Sequence, residues 1–201
     1  MTPKLKKNIL LATIIMSFIV ILTSTFFFAE YLSRQNTPKN ISQIINNINL
    51  VDHTGSKFVA KTIENQPSLI FFGFTHCPEI CPTTLSQLSE VTERLKSKIM
   101  TTNIIFITVD PQRDTQEYLK DYISNFSENV IGITGKIMDI KKLADNWGVF
   151  FERISSSKDD YTFNHTATVF MLDKKGDYKG TISWGENENS IIQKVVNLSK
   201  N

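Results

Sequence analysis

The two cysteines of this 201-residue chain lie four positions apart in one short segment, residues 74–82 (FTHCPEICP). The segment follows an apolar run of strand length and precedes a pattern typical of a helix. Free N–H groups at the start of a helix stabilise a thiolate, the form of cysteine that attacks disulfides and binds metal ions. If the helix reaches back to Cys77, Cys77 and Cys81 share one helix face, while Pro78 and Pro82 restrict the loop. The segment therefore predicts a preorganised pair of thiols that binds one soft metal ion or closes a disulfide.

The spacing of the cysteines bears on which chemistry they serve. Isolated cysteines are most often small buried apolar residues, but the placement of both at one proline-bracketed junction argues against that interpretation. The redox motif of thioredoxins has two residues between its cysteines, whereas three residues separate Cys77 from Cys81. This wider loop suits a metal clamp at least as well as a rapid dithiol catalyst, so both chemistries stay open at this point.

The histidines supply a further candidate ligand. His165 lies just before a predicted strand, within residues 163–169 (FNHTATV), where a loop residue can face the neighbouring strand–helix junction. Two thiolates and one imidazole form a three-coordinate site suited to copper, because Cu(I) favours thiolate and Cu(II) accepts imidazole. The same donors with a bound water suit zinc. His76 adjoins Cys77 and is expected to point away and tune the thiol, whereas His53 is expected at the surface in a turn.

Asp110 marks the end of a second predicted buried strand and opens residues 110–115 (DPQRDT). The carboxyl ends of neighbouring strands meet at the ligand-binding edge of an α/β sheet, so Asp110 should lie near Cys77. Its simplest role is to orient this loop or to cap the next helix, where Asp114 and Glu117 have capping-box spacing. The sequence therefore predicts a loop-orienting or helix-capping role for Asp110.

Strands and helices alternate through the part of the chain that carries these residues. Continuous apolar runs over 68–74 and 104–109 are typical of strands that are covered on both faces. The helix predicted over 82–99 carries an apolar stripe at helical spacing, formed by Leu85, Leu88, Val91, Leu95 and Ile99. Further strands are predicted over 130–133, 149–154, 166–172 and 178–184 and on both sides of Gly55, and further helices from 114, over 136–147 and over 188–198. This order predicts an α/β sandwich with a mixed sheet and a late hairpin.

Composition limits the classes of protein to which the chain can belong. One domain of about 150 residues plus an appendage accounts for its length, and two cysteines are too few for a disulfide-stapled scaffold. The net charge of +2 arises from three lysines among the first eight residues, since the other 19 basic residues face 20 acidic ones. A nearly neutral body offers no excess of basic surface, so we expect no nucleic-acid partner.

The amino-terminal part of the chain predicts one membrane anchor. Residues 9–29 are 21 uncharged residues, which as a helix reach roughly 30 Å, the thickness of a bilayer core. The run is longer than the core of a cleaved signal peptide, and Phe27 stands where a cleavage site needs a small residue. The lysines of tail residues 1–8 hold that tail in the cytoplasm or matrix. Residues 30–47 then form a linker, and residues 48–201 form a domain on the other side of the membrane.

Three segments together resemble the Sco/SenC family of copper proteins. They are residues 73–85 (GFTHCPEICPTTL), residues 109–115 (VDPQRDT) and residues 164–166 (NHT). The resemblance extends over about residues 48–198 in the family's order, and it includes the single amino-terminal span.

The resemblance implies a thioredoxin-like fold with an extra β-hairpin and one copper ion, Cu(I) or Cu(II), per chain. The ligands would be Cys77, Cys81 and His165, with Asp110 in support. The family serves the assembly of cytochrome c oxidase, which implies a metallochaperone that delivers copper to, or reduces the cysteines of, the two-copper site of oxidase subunit II. Another copper carrier or a thiol reductase is a further implied partner. The anchored domain would face the periplasm from a bacterial inner membrane, or the intermembrane space of a mitochondrion.

Two other functions use the same residues. A membrane-tethered thiol–disulfide oxidoreductase or thiol peroxidase would turn over with Cys77 and Cys81 as its redox pair and would depend little on His165. A redox sensor would use the same disulfide for signalling. As a metallochaperone, the chain is not expected to be an enzyme, apart from thiol–disulfide reductase activity of the cysteine pair.

Overall fold

The computed structural model of the protein describes residues 3–35, 41–98, 101–155 and 161–200. The chain divides into two compact units, Met1–Thr37 and Pro38–Asn201. The first unit contains helix α1 (Pro3–Gln35), and the stretch Leu11–Glu30 within it is long and apolar enough to cross a membrane, judged by length and composition. This stretch overlaps the anchor predicted over residues 9–29.

The second unit contains both helices and strands. The helices are α2 (Ile41–Asn46), α3 (Ile80–Leu95), α4 (Gln116–Ile123), α5 (Ile137–Asn146) and α6 (Glu188–Lys200). The strands are β1 (Leu50–Asp52), β2 (Ser68–Gly73), β3 (Asn103–Thr108), β4 (Val130–Gly135), β5 (Phe151–Ser155), β6 (Tyr161–His165), β7 (Thr168–Leu172) and β8 (Tyr178–Ser183). Strands β5 to β8 follow one another without an intervening helix among the described residues.

Six of these strands form one mixed sheet in the order β1-β4-β3-β2-β7-β8. Strand β2 pairs in parallel with β3 and antiparallel with β7, and all of its residues are buried. Burial on both faces explains the continuous apolar run that predicted this strand. Strands β7 and β8 form the predicted late hairpin, whose turn contains Gly176 with a φ of 80°. The predicted mixed sheet is therefore confirmed.

Strands β5 and β6 form a separate two-stranded antiparallel sheet, in which Phe151 lies opposite His165. The sequence predicted a strand near β5 but placed His165 in a loop, and the loop prediction was wrong. Strand β6 escaped detection because its residues alternate between half-buried and exposed, so they form no continuous apolar run.

Two predicted helix starts differ from the structure. Helix α3 begins at Ile80, two residues before the predicted start, and ends at Leu95, while Ile99 lies outside the described residues. The predicted apolar stripe of α3 is buried at Leu85, Leu88, Val91 and Leu95. Helix α4 is capped by Thr115 and not by Asp114, because the Thr115 side chain accepts a hydrogen bond from the Tyr118 N–H. The side chain of Asp114 has other partners, which are described below.

The chain that precedes β2 adds to the core. Helix α2 lies within the segment expected as a linker, and its Ile45 is buried together with Ile48. Near Gly55, the predicted pair of short strands is reduced to β1 and a single bridge between Val51 and Lys57.

Candidate metal centre

The side chains of Cys77, Cys81 and His165 converge beyond the carboxyl end of β2. One potential ligand atom from each, two sulfurs and an imidazole nitrogen, lies within 4.8 Å of the others. Cys81 Sγ is 3.5 Å from His165 Nε2. Within the described residues this is the one group of three or more histidine, cysteine and acidic side chains close enough to hold a metal ion. The structure thus brings together the three side chains proposed as ligands.

The thiol of Cys81 fits against a glycine of the central strand. Cys81 is fully buried in the first turn of α3. A Cβ atom at Gly73 would lie 2.8 Å from Cys81 Sγ and 2.6 Å from the Phe106 ring, closer than van der Waals contact allows. The absence of a side chain at Gly73 therefore leaves the space that the Cys81 sulfur occupies.

Cys77 accepts a hydrogen bond from a free N–H group of α3. Its Sγ lies 3.4 Å from the Cys81 N, whereas the side chain of the N-cap residue Glu79 makes no capping bond. The hydrogen bond from the Cys81 thiol, opposed by burial, lowers the pKa of Cys77 to about 3. The same thiol–thiolate bond, together with burial, raises the pKa of Cys81. The pair is therefore one half-buried thiolate beside one buried thiol.

His165 presents Nε2 to the sulfurs. Its Nδ1 lies 3.1 Å from the carbonyl oxygen of Thr166. Because a carbonyl only accepts hydrogen bonds, this contact assigns a proton to Nδ1. In the neutral form of the ring, the lone pair is then on Nε2, which faces Cys81. The rings of Phe71 and Phe74 meet the imidazole edge-on at centroid distances of 6.1 and 5.7 Å. A bond from Nδ1 to a carbonyl is the arrangement that fixes the tautomer of a metal-ligating histidine.

Asp114 holds the loop that carries Cys77. Its buried carboxylate accepts hydrogen bonds from the Thr75 N–H at 3.0 Å, the Thr75 hydroxyl at 2.5 Å and the Thr108 hydroxyl at 2.5 Å. Burial raises the pKa of Asp114, and these hydrogen bonds oppose the rise. Sequence reasoning missed this role because the spacing of Asp114 and Glu117 suggested a helix cap; the only signal was a second acid in the segment that contains Asp110.

Asp110 contacts the hairpin that carries His165. Its buried carboxylate accepts hydrogen bonds from the Tyr161 hydroxyl at 3.0 Å and from Arg113 Nε. The prediction put Asp110 near Cys77, but the acid that hydrogen-bonds to the cysteine loop is Asp114.

The other two histidines lie outside the group of ligand atoms. His76 stacks on Tyr118 with centroids 5.3 Å apart, and its Nδ1 lies 3.0 Å from the Thr75 hydroxyl. His53 was predicted at the surface but is half-buried, because its Nδ1 accepts a hydrogen bond from the Gly132 N–H at 3.3 Å and its own N–H bonds to the Gly132 carbonyl.

The donor set fits copper. Two sulfurs and one neutral imidazole are soft and borderline donors of the kind that bind Cu(I) and also accept Cu(II). Of the two cysteines, Cys77 is half-buried and Cys81 is buried. The same donors would also suit zinc if a fourth ligand were added.

Known proteins resemble this chain in sequence and in fold. A family model described as SCO1/SenC matches residues 36–200. The SCO2-like protein RP587 of Rickettsia prowazekii is 41% identical over 131 residues, which span 64% of this chain and 64% of that protein, just under two-thirds of its length. Yeast Sco1 with copper bound is 31% identical with a TM-score of 0.71, over 77% of this chain and 87% of that one. Arabidopsis thaliana ScoI with copper bound is 26% identical with a TM-score of 0.72, over 76% and 96%. These likenesses confirm the predicted thioredoxin-like fold.

Proposed function

The chain belongs to the SCO1/SenC family, and from this premise we propose that it is a membrane-anchored copper chaperone for the two-copper site of cytochrome c oxidase subunit II. The Sco family is a family of cytochrome c oxidase assembly proteins. The observation that carries the proposal is the convergence of Cys77, Cys81 and His165 within 4.8 Å. Two structural relatives that share the fold hold copper, and the donor set of this chain suits the same metal.

The three side chains would have different roles in binding and releasing copper. Cys81 and Cys77 supply the two sulfurs, and His165 completes the site through Nε2. Because Cys77 is half-buried while Cys81 is buried, an incoming thiolate of the partner reaches the Cys77 side first. Copper would pass to the partner by exchange of one ligand at a time; alternatively, the cysteine pair keeps the thiols of subunit II reduced so that they can accept copper.

The amino-terminal helix would anchor this site next to its membrane-bound partner. The apolar stretch Leu11–Glu30 supports one membrane span. The three lysines before it favour a cytoplasmic or matrix tail, with the copper-binding domain in the periplasm or the intermembrane space. Another copper carrier or a thiol reductase on that side would load or reduce the site.

Copper stoichiometry tests the proposal. We expect the reduced full-length protein in detergent to bind one copper per chain and, with Cu(II), to show a thiolate charge-transfer band. Cys77→Ser and His165→Ala should lose retained copper, and His165→Ala should also lose the band. His53→Gln, which changes a histidine outside the site, serves as the control and should bind as the wild type. Wild-type stoichiometry in Cys77→Ser would contradict the proposal.

A thiol–disulfide oxidoreductase is the second candidate function, and the thiolate of Cys77 beside the thiol of Cys81 favours it. Cys77 would attack a substrate disulfide and release one substrate thiolate, and Cys81 would then displace the other from the mixed disulfide. The substrate gains two electrons, and the protein is left with a Cys77–Cys81 disulfide. His165→Ala separates the two functions, because the oxidoreductase would keep its turnover while the chaperone would lose copper.

A further inference from the structure

We propose that Tyr161, Arg113 and Asp110 form a clasp that positions the β5–β6 hairpin so that His165 faces the two cysteines. These are positioning residues, and their role rests on the proposed copper-binding function. The hairpin pairs only with itself among the described strands. Its orientation toward the main sheet therefore depends on side-chain contacts as well as on the short connection from His165 to β7, which begins at Thr168.

The ring of Tyr161 lies between two guanidinium groups. The central carbon of the Arg113 guanidinium is 3.7 Å from the ring centroid, and that of Arg153 is 3.6 Å away. Two guanidiniums cannot occupy the same face of one ring at these distances, so they stack on opposite faces. Arg113 follows β3 and Arg153 lies in β5, and cation–π contacts of this kind stabilise the packing of their chain segments.

Hydrogen bonds also connect Tyr161 to Asp110 and Arg113. The Tyr161 hydroxyl donates to Asp110 Oδ1 at 3.0 Å, and Arg113 Nη1 donates to the Tyr161 carbonyl oxygen at 3.0 Å. Arg113 Nε donates to the other carboxylate oxygen of Asp110. Tyr161 is therefore held by its ring, its hydroxyl and its backbone, all by the loop that follows β3.

The clasp is coupled to His165 along one face of β6. Residues at alternate positions of a strand point to the same face, so Tyr161, Phe163 and His165 lie in a row. The ring of Phe163 lies 5.8 Å from that of Tyr161 and 5.6 Å from that of Phe74, and Phe74 lies 5.7 Å from the imidazole. A displacement of Tyr161 would therefore shift the row that ends at the candidate ligand.

The loop that follows β3 contacts both the loop that carries Cys77 and the hairpin that carries His165. Asp114 bonds to Thr75 on the cysteine loop, while Asp110 and Arg113 bond to Tyr161 on the hairpin. The two acids are four residues apart in one segment, so the distance between the thiols and the imidazole depends on this loop.

Two substitutions at Tyr161 test the clasp in steps. Tyr161→Phe keeps the ring and removes the hydroxyl, whereas Tyr161→Leu removes both. Tyr178→Phe, on β8 of the main sheet, is the control. The first readout is amide hydrogen exchange of the full-length, metal-free protein in detergent, followed separately in β6 and in β2. The second is the rate at which Cu(I) passes from the loaded protein to a chelator.

We expect graded effects confined to the hairpin. Exchange in β6 and transfer of Cu(I) should quicken by roughly threefold in Tyr161→Phe and about tenfold in Tyr161→Leu, with exchange in β2 unchanged. If amides of β6 exchange at the wild-type rate in both variants, the proposed clasp is wrong. It is also wrong if these amides exchange faster but Cu(I) passes to the chelator at the wild-type rate. If the wild type binds no copper, the proposed function fails, while hairpin exchange in the metal-free variants still decides whether the clasp holds β6.

Discussion

The two sides of the candidate site are built in different ways. The cysteine side, formed by β2 and α3, belongs to the main sheet and its covering helix, and every residue of β2 is buried. The histidine side, formed by β5 and β6, is a separate two-stranded sheet in which all but the first residue of β5 are exposed. Backbone pairing in the core fixes one side, whereas side-chain contacts hold the other.

This difference suits a site that both holds and releases a metal ion. A fixed pair of thiols keeps its geometry whether or not a third ligand is present. His165 packs against Phe71 and Phe74, but β5 is exposed at all but its first residue and adds little buried contact. A ligand on this hairpin can therefore move away at lower cost than a cysteine held by the core. We therefore expect substitutions on the cysteine side to change both the free energy of unfolding and copper binding. Substitutions on the histidine side should change mainly the position of His165.

The largest expected effect is in the titration of Cys77. Its pKa is lowered from 9.0 to about 3, so the thiolate persists as the pH falls and is lost only near the lower value. Alkylation of Cys77 in the reduced, metal-free protein should therefore stay level from neutral pH down to about pH 4. Cys81→Ala should return the midpoint toward 9.0 further than His165→Ala does, because the Cys81 thiol is the main cause of the shift.

The control for this titration is Cys77→Ser, which should leave no rapidly alkylated thiol because Cys81 is buried and protonated. A wild-type midpoint close to 9.0 would show that the two thiols are not hydrogen-bonded to each other in solution.

The next effect concerns the space beside the Cys81 sulfur. Gly73→Ala should lower the free energy of unfolding by up to about 3 kcal/mol and displace the thiol, so less copper is bound per chain. Gly132→Ala is the matched control on β4, since its Cβ would lie 2.7 Å from the Leu119 side chain and meets no ligand. We expect a similar loss of stability with full copper binding in the control. Chemical denaturation first confirms that both variants fold. Equal copper binding by the two folded variants would then contradict the role of Gly73.

A smaller effect should come from the buried acid of the cysteine loop. Asp114→Asn weakens the hydrogen bonds from Thr75 and Thr108 and should cost about 1–2 kcal/mol in the free energy of unfolding. Asp145→Asn removes one exposed ion pair with Lys141 and should cost less than about 0.5 kcal/mol. Amide exchange should quicken around residues 74–79 in Asp114→Asn and stay unchanged in β6. Faster exchange in β6 alone would reverse the assignment of the two acids.

Local patterns were sufficient to predict the cysteine side. The apolar run of β2, the helical stripe of α3 and the paired cysteines between them are all contiguous in sequence, so the strand–helix junction followed from the spacing of apolar residues. The mixed sheet and the final hairpin followed in the same way. His165 lies far from the cysteines in the sequence. It was predicted as a ligand because imidazole is a chemically suitable third donor and because residues 164–166 resemble the Sco/SenC family.

Interactions between distant segments could not be predicted. Asp114 and Thr115 are adjacent, and either can cap a helix; Thr115 does so because Asp114 bonds to Thr75, 39 residues earlier. Strand β6 alternates between half-buried and exposed residues, and its partner β5 is exposed at all but its first residue, so neither strand carries a buried apolar pattern. The clasp around Tyr161 depends on ring stacking across 48 residues of chain, which no local period encodes.

The separation of the ligands along the chain determines when the site comes into being. Cys81 and His165 are 84 residues apart, and at typical rates of synthesis that stretch takes roughly ten seconds to make. For that interval the nascent polypeptide exposes both sulfurs without the imidazole, and α3 can form before β6 exists. Metal binding by the complete three-donor set is therefore a late event in biogenesis. Before it, the redox conditions around the nascent chain determine whether the two thiols stay reduced or form a disulfide.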